Sequence, residues 1–189
     1  MAVCRNYDPI VRINSQSGKC GFAFVLEQNV GLYLPKAFQQ DFSTFTTSMS
    51  DRQHKYLTPA DIYEAFIDHY VDGRAPLELV TYKEIVLKNH EDVAIEAECN
   101  FNGKPLTLKG TGNGIISALC HAIEDYFHIV MEVVDYREHS MSHGTKSRAI
   151  SYIQIADNEG GIYFGAGTSS NITKSGLRAV VSTTNKIIR

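Results

Sequence analysis

Apolar positions along this chain change period part-way. In "LPKAFQQDFSTF" the residues Phe38, Phe42 and Phe45 recur at helical spacing, and in "ADIYEAFIDHY" Ile62, Phe66 and Tyr70 recur every four residues. Thr58 and Pro59 supply an N-cap and an N1 proline for the second of these helices. Upstream, "PIVRIN" and "FAFVLE" read as two strands joined by the tight loop "SQSGKCG". The expected first unit, residues 1–75, is therefore two strands and two helices. It closes at "DGRAP", residues 72–76, where Gly and Pro stop the helix.

From residue 77 the period falls to two. In "VAIEAECNF" the side chains of Val93, Ile95, Ala97, Cys99 and Phe101 point to one face, while Glu96, Glu98 and Asn100 point to the other. Asn102-Gly103 then supplies a type I′ hairpin turn into "KPLTLKG". An internal echo follows. "GTGNGIISALCHAIEDY" begins at Gly110 after one hairpin, and "GAGTSSNITKSGLRAVVSTTNK" begins at Gly165 after another, "SYIQIADNEGGIYFGAG". Each half reads strand, strand, strand, glycine turn, helix. The expected fold is α+β, a pseudo-symmetric pair of βββα units at 77–127 and 129–188 within a region 77–189, preceded by the small α+β unit.

Composition narrows the chemistry. With 43% apolar and 21% charged residues and a net charge of -3, the 189-residue chain reads as globular, and its scattered basic residues exclude nucleic acid and anionic lipid as expected partners. Cys4, Cys20, Cys99 and Cys120 lack CxxC spacing, and the N-terminus has neither a signal-like apolar region nor a membrane-length stretch. The expected compartment is reducing cytosol. Asn171-Ile172-Thr173 matches a glycosylation acceptor, but its better use is as a helix cap.

Candidate chemistry centres on the glycine turns. Gly110, Gly112 and Gly114 run G-x-G-x-G rather than G-x-G-x-x-G, and Thr173 rather than Gly precedes Lys174-Ser175, so both common nucleotide loops fail. A helix starting near Asn113 still presents unpaired N–H groups and a positive dipole end to an anion such as a carboxylate. The alternative is that Asn113 caps the helix and the glycines only permit a tight turn. His139 and His143 are four apart but lack a third metal ligand, and Asp61, Glu64 and Asp68 read as a solvated helix face. No nucleophile, zincin or paired-acid spacing specifies catalysis.

Four segments in order, "VRINSQSGKCG", "GTGNGIIS", "DYREHSMSHG" and "ITKSGLRAVVSTTNK", resemble the regulatory part of 2-isopropylmalate synthase, the acyltransferase that commits carbon to leucine biosynthesis. The resemblance implies a linker subdomain over 1–75 and a leucine-binding, dimer-forming regulatory domain over 77–189, without the catalytic barrel and its divalent metal. It implies a chain inactive alone, with no cofactor of its own, forming a homodimer. It implies effector contacts from Gly112, Asn113, Gly114, Ile116 and Ser117 at the first turn, and from Val133, Tyr136, His139, Ser140 and Ser147. Thr168 and Ser170 would add the symmetry-related side. Related citramalate synthases bind isoleucine in a similar domain, which gives an alternative effector. A dimerisation scaffold without a ligand is a further alternative.

Overall fold

The computed structural model describes residues 21–53, 57–73, 75–87, 92–141 and 147–188. The expected strand "PIVRIN", most of the loop after it, Cys4, Cys20 and His143 lie outside the described residues.

Three helices come first, α1 (Gly21–Val30), α2 (Lys36–Gln53) and α3 (Pro59–Tyr70). "FAFVLE" is therefore helical, not the expected strand, and the described part of the first unit holds three helices. The physical reason lies in which side chains are buried. Phe22, Ala23, Val25 and Leu26 form one helical face at spacings of one, three and four, while Phe24 between them is 55% exposed. A strand would bury every second residue and place Phe24 with Phe22 and Leu26.

α2 and α3 form as their periodicity predicts. Phe38, Phe42, Ile62, Phe66 and Tyr70 are all buried. Thr58 makes a complete capping box: its hydroxyl oxygen accepts from the Asp61 N–H, and the Asp61 carboxylate accepts from the Thr58 N–H at 2.8 Å.

Two βββα units follow. The first comprises β1 (Leu77–Val86), β2 (Val93–Phe101), β3 (Lys104–Gly112) and α4 (Ile115–Phe127). The second comprises β4 (Glu132–Ser140), β5 (Ala149–Ala156), β6 (Ile162–Ser169) and α5 (Ile172–Ile187). Each unit has one three-stranded antiparallel sheet, in the orders β1-β2-β3 and β4-β5-β6. Asn102 and Gly103 both take positive φ, 50° and 77°, as the type I′ turn requires.

The sheets differ in how they are covered. In β2 alternate residues Ile95, Ala97 and Cys99 are buried beneath α4, and Glu98 is exposed. In β5 both faces are buried. Ile153 and Ile155 join the core shared with α4 and α5, whereas Ile150 and Tyr152 join the core of α1–α3. Phe38 seals that second contact, with ring centroids 5.8 Å from Tyr152 and 5.2 Å from Phe164. The second sheet is thus a middle layer between α5 and α1–α3.

Candidate functional site

Glycine turns draw the helices onto the sheets. A Cβ on Gly112 would sit 2.7 Å from the Ala118 amide nitrogen, and one on Gly110 would meet the Ala118 carbonyl oxygen and lie 2.8 Å from the Ala122 nitrogen. In the second unit a Cβ on Gly167 would sit 2.5 Å from the Ala179 nitrogen, and one on Gly165 would lie 2.8 Å from the Thr183 nitrogen. What comes close to the backbone at these four glycines is the helix that follows each of them. Gly114 is different. Nothing lies within 4 Å of an added Cβ there, so its side faces open space.

The echo is imperfect in an informative way. Gly110 and Gly165 are 55 residues apart, but the residues that meet them, Ala118 and Ala179, are 61 apart. The six extra residues lengthen the second turn and start α5 about one turn earlier on its strand than α4 starts on its own. α5 has 16 residues and α4 has 13.

The two helix starts are also finished differently. Asn171 caps α5, its side-chain oxygen accepting from the Lys174 N–H at 3.0 Å. At α4 the N-cap is Gly114, with no side-chain cap hydrogen bond, and Asn113 is exposed and does not cap. The first N–H groups of α4 have no carbonyl four residues behind them, and the dipole adds partial positive charge.

Beside that start the structure assembles part of the expected residue set. Val133 and Tyr136 are three apart, yet a bulge between Val133 and Asp135 returns both to one face, opposite Ile155 and Ile153. Tyr136 and Ile116 converge on Gly176 of α5: a Cβ there would lie 2.6 Å from the Tyr136 hydroxyl and 2.9 Å from Ile116 Cδ1. Ser117 packs against Gly112. Tyr136 donates to the Glu138 carboxylate at 2.6 Å, and its hydroxyl lies 3.3 Å from Ser151, which bonds Ser175 of α5 at 2.7 Å. Burial, reinforced by the Glu138 hydrogen bond, pushes the Tyr136 hydroxyl up to about 12.

Other expected residues stand elsewhere. His139 and Thr168 both pair with Ile150, on the sheet face that meets α1–α3, opposite to Tyr136. His139 Nδ1 lies 3.1 Å from the Ser140 carbonyl, which only accepts, so Nε2 accepts from the Tyr33 N–H at 3.2 Å and lies 3.0 Å from the Tyr152 hydroxyl. Thr168 binds Asp72 and Arg148. Ser140 and Ser147 hydrogen-bond to each other, and Ser170 is exposed in the bend before α5.

Gly176, Ser151 and Ser175 escaped the sequence reading. A lone glycine within the helical run "ITKSGLRAVV" was the available signal, since it marks a close approach. Among the described residues no group of three or more His, Cys, Asp or Glu could hold a metal ion, and no helix is long and apolar enough to cross a membrane.

Residues 56–188 match the family described as the LeuA allosteric (dimerisation) domain. This chain belongs to that family. It is similar to the 2-isopropylmalate synthase of Acetoanaerobium sticklandii, at 46% identity over 185 residues, covering 97% of this chain and 33% of the relative. The 2-isopropylmalate synthase of Rhizobium johnstonii is 40% identical over 190 residues, covering 98% and 33%. That of Clostridium acetobutylicum is 36% identical over 186 residues, covering 96% and 33%. The chain thus spans about a third of the length of the curated relatives it matches.

Proposed function

We propose that this chain is the allosteric and dimer-forming portion of a cytoplasmic 2-isopropylmalate synthase, with residues 1–75 as the linker to the regulatory region 77–189. Leucine binds at the start of α4 and lowers the activity of the whole enzyme. The observation that carries this reading is the difference between two related helix starts: α5 is closed by Asn171 and an extra turn, while α4 is open at Gly114. An α-carboxylate fits the free N–H groups there. Ile116, Val133 and Tyr136 offer apolar surface for a branched side chain, and the Glu138 carboxylate beside the Tyr136 hydroxyl offers a partner for the ammonium. The chain alone turns over neither acetyl-CoA nor 2-oxoisovalerate.

Calorimetric titration of the chain with leucine, isoleucine and valine tests the reading. Leucine is expected to release or absorb heat and to raise the melting temperature. At a hundredfold excess over Kd the stabilisation is about 2.7 kcal/mol, or roughly 5–10 °C for a chain of this size. Tighter binding of isoleucine would reassign the effector. A dimer whose melting ignores all three ligands would reduce the region to a scaffold.

A further inference from the structure

The junction between α3 and β1 is gripped on several sides by the second unit. Val71 forms a parallel bridge to Ala166 of β6, and the Asp72 N–H donates to the Ala166 carbonyl at 3.0 Å. The Asp72 carboxylate forks onto Thr168, accepting from its N–H at 3.0 Å and its hydroxyl at 2.7 Å. Arg178 of α5 lies 3.8 Å from the same carboxylate and donates to the Thr168 carbonyl at 2.6 Å. Farther along α5, Ser182 donates to the Tyr70 carbonyl at 2.9 Å and accepts from the Gly73 N–H at 3.2 Å. Asn185 accepts from the Leu77 N–H at 2.7 Å and donates to the carbonyls of Leu77 and Gly73 at 2.7 and 2.9 Å. Lys186 completes the grip with its ammonium 3.8 Å above the Tyr70 ring.

A flexible tether would leave these backbone groups to water. Here Ser182 and Asn185 are buried, and each takes up backbone groups of the junction that would otherwise lie unpaired. Asp72 holds φ at 49°, a conformation that a non-glycine residue keeps only where its surroundings impose it. The same helix runs to the candidate site. Gly176 meets Tyr136 and Ile116, and nine residues on, about 14 Å along the axis, Asn185 holds Leu77.

We propose that Tyr70, Val71, Asp72, Gly73 and Leu77 form a latch, and that α5 is the rod through which occupancy at the start of α4, met at Gly176, reaches α1–α3. The input half rests on the leucine reading above; the latch does not. Hydrogen exchange on the 189-residue chain, with and without leucine, separates the two. Without ligand, Asp72→Asn is expected to speed amide exchange in α3 about tenfold, as loss of a charge-assisted hydrogen bond implies, while β2 and β3 stay unchanged. With leucine, the parent gains protection in α3 as well as at the start of α4. Asp72→Asn still binds leucine within about twofold of the parent, since it shares no partner with the site, but its protection ends in α5. Unchanged α3 exchange in the unliganded variant overturns the latch. Leucine binding by the parent without α3 protection overturns the rod. Absence of leucine binding overturns the effector reading and the rod with it, while the unliganded comparison still decides the latch. Ser182→Ala gives the same readouts should Asp72→Asn not fold.

Discussion

Replacing Gly114 by Asp separates the fold from the ligand at the start of α4. Gly114 has φ -173°, extended backbone open to any residue, and an added Cβ meets nothing within 4 Å. Asp at an N-cap gains a few tenths of a kcal/mol over Gly, and its charge on the helix dipole adds about 0.3–1 kcal/mol. The melting temperature should therefore hold or rise by up to about 4 °C. With leucine seated as proposed, the same carboxylate takes the N–H groups that its α-carboxylate would use and repels that carboxylate. Two like charges about 4 Å apart at an effective dielectric of about 20 repel by roughly 4 kcal/mol, which weakens binding about a thousandfold. Gly112→Ala should do the reverse to the fold, because its Cβ would lie 2.7 Å from the Ala118 nitrogen and 2.9 Å from the Ser117 carbonyl carbon. Those are main-chain atoms, so overpacking costs about 1–3 kcal/mol and about 2–12 °C of melting temperature. Scanning calorimetry and leucine titration on both variants read the outcome. Parent-like leucine affinity in Gly114→Asp would refute the placement of the site, and parent-like melting in Gly112→Ala would refute the packing argument.

Phe38→Ala should lower stability to urea by about 3–5 kcal/mol, since Phe38 is buried and touches Phe66, Tyr70, Tyr152 and Phe164. Thr58→Ala, which removes the capping box of α3, should cost about 1 kcal/mol in the same measurement. Burial pushes the Cys99 thiol up to about 11, and burial with the nearby Glu124 charge pushes Cys120 up to about 12, from a usual value of 9.0. The unfolded chain releases these protons first, so the stability they contribute is intact below pH 9 and is lost as pH rises from there towards 12. Urea midpoints across that range should fall, and fall less in Cys120→Ala; equal slopes would contradict the assignment. In a Cys4→Ser, Cys20→Ser background the folded chain should resist thiol reagents at neutral pH, with reaction appearing only as it unfolds.

Much of the fold was written in periodicity. Phe38, Phe42, Ile62 and Phe66 recur at helical spacing, and Ile95, Ala97 and Cys99 alternate, because one packed face decides each element. "FAFVLE" misled because a six-residue apolar run satisfies either period; only exposure of Phe24 on the folded molecule separates them. The glycine turns showed that something approaches the backbone, but not that it is the helix itself at Gly110 and Gly112 and open space at Gly114. Asn171 could be recognised as a cap from its residue type, whereas Asn113, of the same type but one residue farther from its helix, caps nothing. The separation of His139 from Tyr136 follows from strand parity, and the return of Val133 to the face of Tyr136 follows from a bulge between Val133 and Asp135, neither of which composition records.

At the joints between β3 and α4 and between β6 and α5, strand glycines lie against the helix main chain with only short side-chain stubs beside it, Ala122 Cβ, Ser117 Oγ, Thr183 Oγ1 and Arg178 Cβ. A joint packed that closely leaves no room for a side chain on the strand, so sequence drift at these glycines can break it but has little with which to tune it. Each strand and its helix must therefore travel as one piece. Divergence in what such units sense works more readily on the seams between pieces, and at one such seam Ile116 and Tyr136 meet Gly176.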